Sequence, residues 1–153
     1  MRENQWKPNV TVASIIQDDL GRFLMVEEHT EAGLRFNQPA GHLEAGESLL
    51  EAVIRETREE TAHVFVPQHL VGIYQGPLLQ GNFSYLRFAF GGHVAHKLAD
   101  AALDKGIVRA LWMSMDDILA TQSKHRSYLV LKCIQDALAG ISAPLALIKH
   151  YKT

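Results

Sequence analysis

At 153 residues, 47% hydrophobic and 21% charged, the chain can fill one sizeable core and is too apolar for general disorder. Fifteen Lys and Arg against 17 Asp and Glu give a formal charge of -2, which argues against a partner that is polymeric nucleic acid but not against a single nucleotide. One cysteine, Cys133, excludes an internal disulfide framework and a cysteine-based zinc site. The polar start lacks the apolar stretch of a signal peptide, and no run reaches the ~18–20 apolar residues of a membrane span. One cytoplasmic domain over residues 1–153, with no membrane partner, is expected.

Residues 9–17 form the first periodic segment, with Val10, Val12, Ala13, Ile15 and Ile16 supplying β-branched and small apolar side chains. Asp18-Asp19-Leu20-Gly21 is a turn signal and residues 22–28 resume as a second strand, so the pair reads as a hairpin. Residues 29–33 are polar, contain Gly33 and predict a loop. Residues 34–41 are predicted short and extended, because Pro39 cannot sit mid-helix and disfavours helix at Gln38. Residues 47–62, sixteen positions without Gly or Pro, are the strongest helix signal. Strands follow over 70–74 and 84–90, around a loop carrying Gly76, Pro77 and Gly81. Gly91-Gly92 and residues 100–106 predict further loops. Residues 108–113 read as a short strand, 116–121 as a helix start, and 127–139 as an amphipathic helix that could cover the core or a dimer partner. Strands first and last around an internal helix predict an α/β domain, a mixed sheet with helices on its faces.

On a wheel of about 100° per residue, Leu49, Leu50, Val53, Ile54, Thr57 and Thr61 share an arc of about 140° that can pack on a sheet. Glu56, Glu59 and Glu60 share a different arc of about 100°. Like charges at that spacing destabilise a bare helix by ~0.2–0.5 kcal/mol per pair. Glu59 and Glu60 also lie in the last turn, where the macrodipole disfavours negative charge. A cation would offset both penalties, and hard divalent ions such as Mg²⁺ select carboxylate and carbonyl oxygens. A solvated glutamate face is the ordinary alternative. Arg55, beside the cluster and four residues after Glu51, can hold one carboxylate in place. The preceding loop, Gln38-Pro39-Ala40-Gly41-His42-Leu43-Glu44-Ala45-Gly46, has glycines that let backbone carbonyls approach a ligand.

Residues 41–63 resemble the Nudix box, G-x5-E-x7-R-E-U-x-E-E-x-G-U with U bulky and apolar: Gly41, Glu47, Arg55, Glu56, Glu59 and Glu60 match at the required spacing. Thr57 and His63 replace apolar positions, and Ala62 replaces the second Gly, so the helix end is expected to depart from a left-handed exit. Lys7-Pro8-Asn9-Val10-Thr11-Val12-Ala13, Val26-Glu27-Glu28, Asn37-Gln38-Pro39-Ala40-Gly41-His42-Leu43-Glu44 and Leu86-Arg87-Phe88 are similar to the NudJ-type phosphatase branch, as, more faintly, are Arg126-Ser127 and Leu129-Val130.

The resemblance implies a Nudix fold, an α/β/α sandwich around a mixed sheet. It implies a Mg²⁺-dependent hydrolase, with Mn²⁺ as a substitute, cleaving phosphoanhydride bonds of nucleoside di- and triphosphates and of thiamine-type pyrophosphates. Glu56, Glu59, Glu60 and the Ala40 carbonyl are the implied metal ligands, and Arg55 orients Glu56 or Glu47. Arg87, Glu28 and Phe36 are candidate substrate contacts, each with a structural alternative. The proton acceptor is open among Glu56, Glu59 and later-loop acids such as Asp100 and Asp104. Pyrophosphatases for ADP-ribose, nucleotide sugars or dinucleoside polyphosphates are the enzymatic alternative. A non-catalytic nucleotide-sensing domain is disfavoured because every box carboxylate is present. His93 and His96 are expected as a strand and loop pair and Cys133 as a core residue. Monomer and homodimer both remain open.

Overall fold

The computed structural model describes residues 4–153. Its elements are β1 (Asn9–Ile16), β2 (Phe23–Thr30), β3 (Gly33–Asn37), β4 (Ala40–His42), α1 (Leu49–Thr61), β5 (His63–Gln75), β6 (Tyr85–Lys97), β7 (Ile107–Met113), α2 (Met115–Ala120), α3 (Leu129–Leu138) and β8 (Ala143–Pro144). A five-stranded mixed sheet runs β4-β1-β6-β5-β8, and a three-stranded antiparallel sheet runs β3-β2-β7. Only β1 and β6 pair in parallel within the mixed sheet. The α/β class is as expected, with the sheet divided in two.

That division corrects the expected first hairpin. The turn itself forms, with Asp18 Oδ1 accepting from the Leu20 and Arg22 amides and Gly21 at φ 77°. Beyond the single bridge between Gln17 and Phe23, however, the two strands part into different sheets. Both carry continuous buried stretches, from Thr11 to Ile16, apolar but for Thr11 and Ser14, and from Phe23 to Val26. Strands apolar on both faces need cover on both sides, which divergence provides.

Helix α1 wedges against one side of both sheets. Ala52 and Val53 pack with Val12, Ile16 and Phe90 of the large sheet and Leu24 of the small one. The opposite side is covered by α2 and α3, where Ile118, Val130 and Ile134 pack with Ile15, Phe23 and Met25. Ser48 caps α1 in a reciprocal capping box with Glu51, so the helix begins at Leu49 and Glu47 stands outside it. Glu51, thus engaged, also pairs with Lys152, leaving Arg55 to other carboxylates.

Three further expectations change. Residues 29–33 hold no separate loop: β2 runs to Thr30 and β3 starts at Gly33, with Thr30 Oγ1 closing the turn. Strands β5 and β6 are thirteen residues each, and Gly91-Gly92 lie inside β6. The pair is long because bulges at Val64/Phe65, Pro67/His69 and Leu70/Gly72 absorb irregularities; a Cβ on Gly92 would meet the Val66 carbonyl at 2.1 Å, so glycine here permits close backbone approach. Finally, Ala62 adopts φ 59°, ψ 19°, the left-handed exit that its side chain was expected to prevent. Its amide bonds to the Arg58 carbonyl and its carbonyl accepts from Leu98, fixing the strained residue from both sides.

Candidate active site

The site gathers where the edge strand β4 meets α1. Ser14 donates to the Pro39 carbonyl and Leu43 to the Val10 carbonyl, so residues 39, 41 and 43 face β1. Alternation then turns the Ala40 amide and carbonyl toward the open edge. The amide donates to Glu60 Oε1 at 2.7 Å.

Glu60 is only 6% exposed, and Glu56 and Glu59 beside it on the helix are more open. Burial drives its ionisation up to about 9, against the Ala40 hydrogen bond, with Glu28, Glu56 and Asp104 adding like charge. Burial also raises Glu56. One oxygen each from Glu56, Glu59 and Asp104 lies within 4.8 Å of the others. Asp104 reaches this position because its amide donates to the Glu59 carbonyl at 2.9 Å. The other loop acid, Asp100, is exposed in a left-handed turn conformation and is not part of this group.

Arg55 spans the carboxylates. Its Nε and Nη2 hold Glu47 at 3.0 and 2.7 Å, its Nη1 reaches Glu56 at 2.8 Å and Glu59 at 3.1 Å, and Nη2 also bonds the His42 carbonyl. The bidentate contact holds Glu47 ionised below its usual range. Gly41 lies under Glu56: a Cβ there would come within 2.0 Å of Glu56 Cδ. The surplus of hard oxygen donors, and a buried carboxylate driven toward its neutral form, fit a divalent oxygen-binding cation.

Beside this edge opens a cavity of about 600 Å³ on the α3 side of the large sheet. His42, Thr11 and Arg87 are register partners across β4, β1 and β6, and all three line it. Tyr85, two residues before Arg87, shares that face, while Phe83 and Tyr128 flank the cavity. Arg87 is 7% exposed, with neutral partners: Gln38 Oε1 at 3.2 Å, Asn37 Oδ1 at 3.4 Å and Cys133 Sγ at 3.9 Å. Among the described residues no carboxylate lies within ion-pair distance of it. Glu28 also lines the cavity, 3.6 Å from Arg126; burial raises its ionisation, opposed by the charges of Arg126 and, more weakly, Arg87.

Phe36, a candidate for stacking on substrate, sits elsewhere. It is 8% exposed in the core with Met25 and Met113, and its carbonyl accepts from Arg126, so its ring serves packing. Asn37, Gln38, His42, Tyr85 and Tyr128 were not singled out from the sequence. Tyr85 was within reach of the period-two reading that placed Arg87; the others depend on contacts between distant segments.

The NUDIX domain family matches residues 7–132. Phosphatase NudJ of Escherichia coli (strain K12) is 38% identical over 146 residues, spanning 95% of this chain and 94% of its own. A NUDIX hydrolase from Nitrosomonas europaea has 48% identity and a TM-score of 0.91 over 95% of this chain and 98% of that one. The MutT protein from Methanosarcina mazei Go1, at 24% identity and a TM-score of 0.70 over 90% of this chain and 99% of its own, shares the fold. The chain belongs to the Nudix hydrolase family. Within it, the chain is similar to the NudJ phosphatases.

Proposed function

We propose that this enzyme is a Mg²⁺-dependent hydrolase that releases single phosphates from nucleoside di- and triphosphates and from thiamine-type pyrophosphates. The observation that carries the reading is the closeness of Glu56, Glu59 and Asp104 on the edge beside a cavity containing a buried arginine without an ion-pair partner. The similarity to phosphatases called NudJ supports the release of phosphate.

Glu56, Glu59, Glu60 and the Ala40 carbonyl would hold Mg²⁺, with Asp104 beside them; Mn²⁺ has the same donor preference. When bound, the ion supplies charge neutralisation at phosphate oxygens and acidifies water. Arg55 keeps Glu47, Glu56 and Glu59 in fixed positions and stays off the substrate. Arg87 receives a phosphate, and Tyr85 and Tyr128 flank the remaining organic group. Water attacks phosphorus, the phosphoanhydride P–O bond breaks, and the water's proton passes to a carboxylate. Asp104 is the favoured acceptor, since its side chain has no ion pair among the described residues. Positioning and electrostatics supply most of the acceleration.

The test is phosphate release by Glu60→Gln in saturating Mg²⁺. A loss of at least about tenfold, equivalent to ~1.4 kcal/mol of barrier, is expected; unchanged release sinks the proposal. One feature favours larger substrates as a second reading: Arg126 also lines a shallower depression of about 550 Å³ with His29, Thr30 and Arg35. A panel reporting phosphate and pyrophosphate separately, with ADP-ribose, nucleotide sugars and dinucleoside polyphosphates included, decides between them.

A further inference from the structure

Gln38 is 1% exposed in the short connection between β3 and β4 and does not line the cavity. Burying a carboxamide is unfavourable unless both its ends are satisfied. Here Nε2 donates to the carbonyl of Val130, in the first turn of α3. A carbonyl oxygen has two lone pairs, so it can serve both the helix and this amide. The donation fixes which way round the carboxamide lies: Oε1 is left facing the Arg87 guanidinium at 3.2 Å. Asn37 Oδ1 takes the other terminal nitrogen, Nη2, at 3.4 Å. Two neutral oxygens from consecutive residues thus grip the two ends of the guanidinium, and the Nε N–H makes no hydrogen bond among the described residues.

The neutrality of this grip has a consequence. A carboxylate at position 38 would hold the arginine as firmly but would cancel its charge in a low-dielectric setting. An amide orients the cation and leaves its charge available to an incoming anion. We infer that Gln38 is a positioning residue, anchored on the α3 backbone, that holds Arg87 in place without a direct ion pair so that it can take a substrate phosphate. The inference rests on the proposed phosphoanhydride hydrolysis for its choice of substrate.

The experiment is a double-mutant cycle on the full chain with Gln38→Met, Arg87→Met and both together, using ADP. It reads KM and kcat in saturating Mg²⁺ and the Kd of ADP by calorimetry. Gln38→Met is expected to raise KM and Kd about tenfold, with kcat and the half-saturating Mg²⁺ concentration within about twofold. Because Gln38 acts through Arg87, the double variant is expected to match Arg87→Met alone. Equal affinity in Gln38→Met, or losses that multiply in the double variant, overturn the inference, as does failure of the wild-type protein to bind ADP. Should Gln38→Met not fold, Gln38→Glu carries the same expected rise in KM and Kd, because its carboxylate competes with phosphate for Arg87. If the wild-type protein binds ADP without releasing phosphate, the hydrolysis reading fails, and the calorimetric cycle still decides the role of Gln38.

Discussion

The amide of Ala40 donates to the carboxylate of Glu60 at 2.7 Å, joining the open edge of the large sheet to the last turn of α1. This contact satisfies one oxygen of a buried acid but leaves the acid's charge without a cation partner among the described residues. The stability of the metal-free chain should therefore respond to pH. The value for Glu60, raised to about 9 from 4.5, lets the native state keep a proton that the unfolded chain releases. Its contribution is complete below about pH 4.5 and is lost as pH rises through about 9. The unfolding free energy from denaturant titrations in EDTA should fall between pH 5 and 9, by up to ~1.4 kcal/mol per pH unit. The fall should flatten in Glu60→Gln; a slope that persists there places its origin in other groups.

Gly41→Ala should remove activity while leaving the fold intact. The added methyl would overlap the Glu56 carboxyl, whose two oxygens lie 2.2 and 2.3 Å from the Cβ position. Glu56 is a side-chain end and can move, but only by leaving Arg55 and Glu59. A fall in phosphate release of at least about tenfold, ~1.4 kcal/mol, is expected with an unchanged circular dichroism spectrum. Full activity would mean that the position of Glu56 does not matter to the chemistry.

The two acids of the loop before β7 should behave differently. Asp104→Asn is expected to lower kcat at least about tenfold and to raise the Mg²⁺ requirement, because Asp104 stands with Glu56 and Glu59. Asp100→Asn should be neutral, since the side chain is exposed and Asn tolerates its left-handed backbone at φ 57°. Equal effects from both substitutions would remove Asp104 from the site.

Ala62→Gly should stabilise the protein. A left-handed conformation costs a residue with a Cβ ~1–2 kcal/mol, part of which glycine returns as unfolded-chain entropy. A net gain of about 1 kcal/mol is expected from chemical denaturation, with kcat unchanged.

The helix and its carboxylates were legible because the box spacing is local: six residues over one turn-rich loop and one helix specify it without long-range contacts. Which of Asp100 and Asp104 joins them was not, because the choice depends on one backbone bond from Asp104 to the end of α1. Gly91-Gly92 read as a loop by the usual meaning of paired glycines, whereas in β6 they let β5 come close. Phe36 looked equally suited to stacking or packing, and the side of β3 that met the core decided it. Gln38 drew notice as the residue before proline and within the loop ahead of the helix, not for any contact of its own; its partner Val130 lies 92 positions further along. No local pattern could have joined them.

The position of β4 also bears on how the edge of the large sheet meets other chains. A sheet margin offers unpaired amides and carbonyls to any extended segment that approaches it. This margin is three residues long, and at its start the Ala40 amide is already taken by Glu60, under a layer of acidic side chains reaching over from α1. An intruding strand would have to displace a buried acid and face its charged neighbours. The acids proposed for chemistry thus also stand between this margin and any added strand.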